Sequence, residues 1–244
     1  MFITNNKSVR ERMDRMPRTV GNRLSGEQVT FVKNTQDTNG DSLEFITNLD
    51  PEDGIFPHRH TYFTEIFEVL EGELTLSVNN RAIVLRADGD RPSASVSVGP
   101  YETHSFWNHT DKFVRFKVTM FPAGDFEPFI RIGYGLENDG HTFNYRRVKA
   151  GGPLSRFIRR VESILAVVPR RLLDVGVLGR LGGTYAPVIP IWLQRPFMAV
   201  LGALAKLLGR SRRLERYYMV PEQEARGDSI ASRARREQRS GMDL

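Results

Sequence analysis

The chain has 244 residues, 40% of them apolar, and a formal net charge of +6 at pH 7. It contains no cysteine, which excludes disulfides, thiolate metal sites and cysteine nucleophiles. Residues 1–122 hold 14 Lys and Arg against 17 Asp and Glu, whereas residues 123–244 hold 21 against 12. The basic second half therefore predicts contact with an anionic surface, a nucleic acid or an acidic face of a partner subunit.

Residues 1–25 form a polar N-terminal arm that carries six basic residues and no uninterrupted apolar run. A secretory signal has such a run, so the expected location is cytoplasmic. The arm is followed by two segments, 28–33 and 42–48, in which apolar and polar residues alternate. The sequence Asn39-Gly40-Asp41 between them is typical of a turn, and the pair predicts a β-hairpin.

Further short strands are predicted over residues 65–70, 73–78, 81–86 and 112–121. In the 73–78 segment Leu74, Leu76 and Val78 alternate with polar residues, which is the pattern of a sheet with one buried face. Many short strands with no helical period between them favour an all-β, closed or nearly closed sheet. A small barrel of this kind can hold one small ligand in its interior.

A candidate metal site begins at His58 and His60, which stand one residue apart in a predicted strand. Because side chains alternate along a strand, both imidazoles lie on the same face. Glu65 adds a carboxylate, and imidazoles with a carboxylate suit Fe, Mn, Ni, Cu or Zn. Glu65 has the opposite parity, so residues 61–64 must turn or bulge for the three side chains to converge. The missing ligand is expected downstream, where His104 precedes the aromatic pair Phe106-Trp107.

This pattern resembles the two motifs of the cupin superfamily. The residues that match the first motif are Gly54, His58, His60, Glu65 and Gly72. Gly54 stands two residues closer to the first histidine than the family pattern places it. The second motif keeps His104 and Asn108 at the family interval, but Gly99-Pro100-Tyr101 replaces its Pro-x-Gly. The resemblance covers about residues 26–122, a type-2-like single barrel, and it says nothing about the remainder of the chain.

The resemblance implies a mainly β protein, with a cupin-type jelly-roll β-barrel over 26–122 followed by a C-terminal α-helical region. It also implies one divalent transition metal ion, with Fe favoured. The implied metal ligands are His58, His60, Glu65 and His104. Glu65 is either the fourth ligand or a catalytic base. The aromatic residues expected to shape a substrate pocket are Tyr62, Phe67, Phe106 and Trp107.

Two classes of function fit these features. A metal-dependent enzyme acting on a small organic molecule is the first, because a bound cation polarises a carbonyl or activates oxygen. The family resemblance implies oxygenation, isomerisation or lyase chemistry, and among these we favour oxygenase-type chemistry with Fe. The alternative is a non-catalytic module that binds a small molecule or acts as a scaffold. It is suggested by the altered loop at residues 99–101 and by the large C-terminal extension.

Beyond residue 121 the apolar residues repeat at helical spacing. Asp125 is the predicted cap of a first helix, residues 153–168 form a second, and residues 170–178 form a third that is ended by Gly179 and Gly182-Gly183. The helical extension spans residues 123–220. The polar residues 221–244 are predicted to be a disordered tail.

Residues 186–208 are the most apolar part of the chain, and three structures are open for them. A helix that begins at Pro196 packs on the barrel or on a second subunit of a homodimer. An interfacial helix lies on an anionic membrane, helped by the arginines between 210 and 216. A spanning helix is opposed by Arg195, which costs about 2.5 to 3.5 kcal/mol at the centre of a membrane. Nucleic acid is the weakest use of the basic half, since no base-reading motif accompanies it.

Overall fold

The structure, a computed structural model, describes residues 3–21, 27–142 and 169–220. The predicted helix over 153–168 and the predicted tail over 221–244 lie outside these residues. The described strands are β1 (Thr19–Gly21), β2 (Gln28–Lys33), β3 (Leu43–Leu49), β4 (Gly54–His60), β5 (Thr64–Glu71), β6 (Glu73–Val78), β7 (Arg81–Arg86), β8 (Val96–Val98), β9 (His104–Trp107), β10 (Val114–Phe121) and β11 (Thr184–Tyr185).

The strands form two antiparallel sheets. One has the order β1-β2-β3-β10-β5-β8, and the other has the order β11-β4-β9-β6-β7. The predicted hairpin is present, since β2 pairs with β3 around a turn in which Asn39 and Gly40 have positive φ. The strands predicted at 73–78 and 81–86 have the predicted bounds and pair across Asn79-Asn80.

The main hydrophobic core lies between the two sheets. Leu74 and Leu76 of β6 are fully buried, as are Val114 and Phe116 of β10 in the other sheet. Burial of one such side chain stabilises the fold by about 1.5 to 3 kcal/mol. Alternation of apolar and polar residues therefore sets the register of each strand, because a slip by one residue would turn this set to solvent. The predicted mainly β, jelly-roll-type architecture with C-terminal helices is confirmed.

The chain passes from one sheet to the other between β4 and β5. Residues 61–63 form a bend, β4 belongs to the five-stranded sheet, and β5 belongs to the six-stranded sheet. The predicted break in strand parity before Glu65 is therefore present. Side chains from facing sheets point toward one another, which brings Glu65 opposite the two histidines of β4.

The helices of the described residues are α1 (Lys7–Met13), α2 (Phe126–Asn138), α3 (Leu172–Gly182), α4 (Ile191–Leu207) and α5 (Arg210–Leu214). Short 3-10 turns cover Ile3–Asn5 and Glu215–Tyr217. The helices share a second hydrophobic cluster, to which α1 contributes Met13, α2 contributes Ile132 and α5 contributes Leu214. The N-terminal residues thus take part in the fold through α1, and through β1 at the edge of the larger sheet.

The predicted cap position of the first helix is confirmed, and two details of the third predicted helix are wrong. Asp125 occupies the cap position of α2, but its carboxylate accepts hydrogen bonds from the backbone of Ile3 and Thr4 instead of from its own helix. The helix predicted over 170–178 extends to Gly182 and ends where Gly183 adopts a left-handed conformation. Gly179 does not end it, because this glycine lies against Met198 of α4, where a larger side chain would not fit.

The last correction concerns α4. The helix begins at Ile191, five residues before the predicted start, and contains Pro196 in its second turn. Proline has no N–H, so the intrahelical hydrogen bond that residue 196 would donate to Trp192 O is absent. Among the described residues no single helix is long and apolar enough to span a membrane. Only the pair Ile191–Leu207 and Arg210–Tyr217, bent by 85°, meets the criteria of length and composition together.

Candidate metal centre

Three strands bring the four predicted metal ligands together. His58 and His60 lie on β4, Glu65 lies on β5, and His104 begins β9, which pairs with β4 so that His104 stands opposite His58. One ligand atom from each residue lies within 4.8 Å of those of the others. His60, Glu65 and His104 are buried, and His58 is half-buried. Four side chains separated by up to 46 residue positions thus meet between the sheets.

The spacing of these atoms suits one shared cation. Glu65 Oε2 lies 2.7 Å from His104 Nε2 and 3.4 Å from His60 Nε2. None of these three atoms has a hydrogen-bond partner, so even the 2.7 Å contact lacks hydrogen-bond direction. Neighbouring ligands on an ion at about 2.1 Å are expected about 3 Å apart. Unpaired buried polar atoms cost free energy, and a cation would satisfy all three at once.

The outer nitrogens of the imidazoles are already occupied. His58 Nδ1 lies 2.7 Å from Phe56 O, and His104 Nδ1 lies 3.2 Å from Glu102 O. His60 Nδ1 lies 3.3 Å from Gly182 O and 3.1 Å from Thr184 Oγ1. A carbonyl oxygen only accepts, so each Nδ1 donates its proton, and each Nε2 keeps a lone pair. Metal-binding histidines are held in this way by outer partners that fix the tautomer and the ring.

The environment keeps two imidazoles neutral. Burial, aided by the nearby His104, lowers the pKa of His58 to about 3. Burial together with His58 and His104 also lowers the pKa of His60 well below its usual value. Burial alone would lower the pKa of His104, but contact with the Glu65 carboxylate outweighs it and raises that pKa. A cation in the site would therefore compete with a proton on His104.

The predicted pocket aromatics occupy different places. Phe67 is buried, with its ring centre 6.1 Å from that of His104, and Phe106 lies 6.0 Å from Phe67. Trp107 packs edge-on against Phe56, at 6.1 Å. The Tyr62 hydroxyl instead donates to Leu181 O at the end of α3, and burial raises its pKa. Phe67 and Phe106 thus lie beside the histidines, whereas Tyr62 joins the sheets to the helices.

Sequence reasoning missed two aromatic neighbours of His60 and its contact with the C-terminal half. Phe63 lies 4.2 Å from the His60 ring and Phe126 lies 5.7 Å from it. Phe63 lies between His60 and Glu65 in the first motif, and this position could have indicated that its side chain lies near the site. Thr184 carried no such signal, since β11 is two residues long and pairs with β4 across 124 positions of sequence.

Residues of the second motif hold the loops beside the site through hydrogen bonds. Asn108 is fully buried, and its amide donates to Leu49 O, Asp50 O and Lys112 O. Tyr101 stands where the family pattern has glycine and adopts a φ of 67°. Its N–H donates to His60 O at 2.7 Å. Tyr101 thus adopts a left-handed backbone, and its N–H holds the end of β4.

A surface groove of about 690 Å³ lies elsewhere, between α2 and the N-terminal residues. Its lining includes Pro17, Arg131 and Tyr217, and it contains none of the predicted site residues. His109 is exposed on the turn after β9 and lies outside the four-residue cluster. The groove and this histidine therefore add no ligand to the candidate metal centre.

Two packed antiparallel sheets around a cluster of three histidines and one glutamate define a jelly-roll-type protein with a candidate metal centre. Solved structures similar to this chain include a predicted oxalate decarboxylase from Thermotoga maritima, at 18% identity over 44% of this chain and 92% of that one, with a TM-score of 0.37. An RmlC-like cupin from Shewanella frigidimarina has 19% identity over 42% and 82%, with a TM-score of 0.35. KdgF from Halomonas sp. has 16% identity over 40% and 79%, with a TM-score of 0.34. No protein-family model and no curated protein matches the sequence.

Proposed function

We propose that this protein is a metal-dependent cupin enzyme that acts on a small organic molecule. One observation carries the proposal: three imidazoles place Nδ1 against oxygen atoms outside the cluster, and one ligand atom from each lies within 4.8 Å of the others and of a Glu65 carboxylate oxygen. The expected ligand of this set is one divalent transition metal ion, with iron favoured and Mn, Ni, Cu or Zn as alternatives. Such an ion, when bound, supplies Lewis-acid chemistry or the activation of oxygen.

The residues of the chain would orient and shield a substrate at this point. Phe63 and Phe67 are buried beside His60 and His104, so they exclude water and favour an apolar or aromatic substrate. The Glu65 carboxylate oxygen Oε2 lies within the cluster, 2.7 Å from His104 Nε2. It is therefore a candidate base as well as a ligand. Oxygenase-type chemistry is proposed ahead of isomerase or lyase chemistry, because a redox-active ion in an apolar pocket suits oxygen.

Metal content tests the first half of the proposal. Protein purified under anaerobic conditions is expected to carry close to one transition metal ion per chain, measured by elemental analysis. His104→Ala removes a ligand and is expected to weaken metal binding by at least about 100-fold. His109→Ala is the matched control, since this histidine is exposed and outside the cluster. Wild-type protein that neither carries nor takes up a transition metal would refute the metal site.

Turnover tests the second half. Oxygen uptake with phenolic and diketone compounds is expected for the metal-loaded wild type and not for His58→Ala. Metal binding without turnover of any compound, together with thermal stabilisation by one of them, would support the alternative of a non-catalytic binding module. That alternative is favoured by the replacement of the motif glycine by Tyr101 beside His60.

A further inference from the structure

The second feature that calls for a function is an exposed apolar surface at the C-terminal end of the described residues. It covers α4 and the loop before it, and we name it the apolar face. The side chains that form it are Val188, Ile189, Trp192, Leu193, Phe197, Val200, Leu204, Leu207 and Leu208. Val188, Trp192 and Leu207 are 88%, 76% and 81% exposed. Single exposed apolar residues are ordinary, but a contiguous set of this size marks an interaction surface.

The helical period of α4 separates three surfaces. At about 100° per residue, the exposed apolar side chains from Trp192 to Leu207 fall within an arc of about 140°. The buried side, which includes Gln194, Leu201 and Ala205, lies on the opposite arc and faces the helical core. The two charged residues of the helix, Arg195 and Lys206, fall together along one edge of the apolar arc. The helix thus has two apolar sides, of which one packs on the helical core and the other is exposed to solvent.

The apolar face is held rigidly. Gly176 of α3 lets α4 approach so closely that an added Cβ would lie 2.3 Å from Leu201 Cβ. The side chain of Gln194 bonds Ala186 and Ile189, which fixes the loop that carries Val188. Arg59 also donates to Pro187 O. This preorganisation lowers the entropy cost of placing the face against a partner.

Basic residues lie along one edge of the apolar face and just beyond the end of α4. Residues 169–220 contain nine Arg and Lys against two acidic residues, Asp174 and Glu215. Asp174 is buried and paired with Arg210, so its charge is internally compensated. Arg212 and Arg213 are exposed just beyond the end of α4. Apolar side chains edged by cations complement a surface that offers anionic groups above an apolar layer.

We propose that the apolar face lies in the interface of an anionic lipid bilayer, parallel to the membrane plane. An interfacial helix has this combination of aromatic and aliphatic residues on one side with Lys and Arg at its edge. Basic residues near an anionic membrane strengthen binding additively. A second copy of the chain is the less suitable occupant, because a symmetric contact would bring both sets of basic residues together. The proposal is independent of the metal centre.

Vesicle binding by the full-length protein tests the proposal. The protein is expected to float with phosphatidylcholine vesicles that contain phosphatidylserine, less with phosphatidylcholine alone, and less again at high salt. Phe197→Ala is expected to lower the partition coefficient about tenfold through lost apolar insertion. Phe113→Ala is the matched control, because Phe113 is 49% exposed on the sheet domain and Phe197 is 50% exposed on α4. Lys206→Glu is expected to lower binding to anionic vesicles only.

Tryptophan fluorescence locates the contact. The chain has two tryptophans, so Trp107→Phe leaves Trp192 as the single reporter. Its emission is expected to shift to shorter wavelength on anionic vesicles, with quenching by lipids brominated near the headgroup end of the acyl chain. Quenching strongest at the bilayer centre would contradict an interfacial position.

Two further outcomes would overturn the proposal. One is absence of binding to anionic vesicles at low salt by a wild type whose circular dichroism and thermal unfolding are those of a folded protein. The other is a dimer in lipid-free solution, measured by sedimentation velocity, that Phe197→Ala dissociates and Phe113→Ala does not. That result would assign the apolar face to a second copy of the chain.

Discussion

The sheet sandwich and the α3–α4 helical hairpin depart from ordinary burial in opposite directions. The sandwich buries His60, Glu65 and His104, which are polar and ionisable. The hairpin leaves Trp192 and Leu207 largely in solvent, although both are apolar. Polar groups in a core cost about 1 to 3 kcal/mol each when unpaired, and exposed apolar groups forgo their burial energy. Each region therefore gives up stability in a different way.

The difference shows how two kinds of site are recognised. In the sandwich, the lost stability comes from a few unpaired polar atoms that lie close together, on side chains whose Nδ1 atoms already have hydrogen-bond partners. In the hairpin, the cost is spread over one continuous arc of a single helix. A few unpaired polar atoms that lie close together are satisfied by a small ligand such as an ion. Exposed apolar side chains along a whole helix are covered only by an extended surface. Three predictions examine how firmly this contrast holds.

The largest expected effect concerns Asn108, a buried polar residue of the sandwich that has all its partners. Asn108→Ala removes the hydrogen bonds that its amide donates to Leu49 O, Asp50 O and Lys112 O, and those that its Oδ1 accepts from Thr110. The free energy of unfolding is expected to fall by roughly 2 to 4 kcal/mol, measured by urea denaturation. Asn48→Ala, on the exposed side of β3, should change it by less than about 0.5 kcal/mol. Equal effects would mean that the polar interior of the sandwich contributes no specific stability.

The second prediction concerns Glu137, a buried acid on α2 outside the metal centre. Burial, with Glu27 and Asp53 nearby, raises the pKa of Glu137 from 4.5 to about 8. Between these values the folded protein keeps a proton that the unfolded chain has lost, so the free energy of unfolding falls as pH rises through this window.

Glu137→Gln is expected to remove this pH dependence, so that the variant becomes more stable than the wild type by roughly 2 to 4 kcal/mol above pH 8. Urea denaturation at a series of pH values measures it, with Glu71→Gln on the exposed end of β5 as the control. A wild type whose stability is level from pH 5 to pH 8 would contradict the raised pKa.

The smallest effect is expected where the two regions meet. Thr184→Val keeps the β-branched shape but removes the hydroxyl that lies 3.1 Å from His60 Nδ1. Loss of an outer partner is expected to weaken metal binding about tenfold, measured by competition with a chelator. Thr19→Val, at the exposed edge strand β1, provides the control. Unchanged metal affinity would show that Gly182 O alone is enough to hold the imidazole.

Much of the sandwich follows from the sequence because its signals are local. The alternation of Leu74, Leu76 and Val78 and the turn residues Asn79-Asn80 each determine a structure within a few positions. The parity of Glu65 against His60 also predicts the bend between β4 and β5. The four predicted ligands are brought together, and their role as metal ligands stays a prediction.

The helical region follows from the sequence less well, because its structure depends on distant contacts. Gly176 and Gly179 resemble helix breakers, yet they allow close packing against Leu201 and Met198. Pro196 resembles a helix start, yet α4 begins at Ile191, where Gln194 binds the preceding loop. The hydrogen bond between Asp125 and Thr4 joins residues 121 positions apart, and no local pattern contains it.

The two-residue strand β11 has a mechanical consequence. It joins α3 to α4 and pairs with His60 and Arg59 of β4, so its displacement shifts the backbone that carries an imidazole of the metal centre. Thr184 and Gly182 transmit the same displacement to the imidazole ring. A movement of α4 is thus transmitted to the His60 side chain through the backbone and these hydrogen bonds. A displacement of the α3–α4 hairpin would therefore change the position of the His60 imidazole relative to the other three candidate ligands.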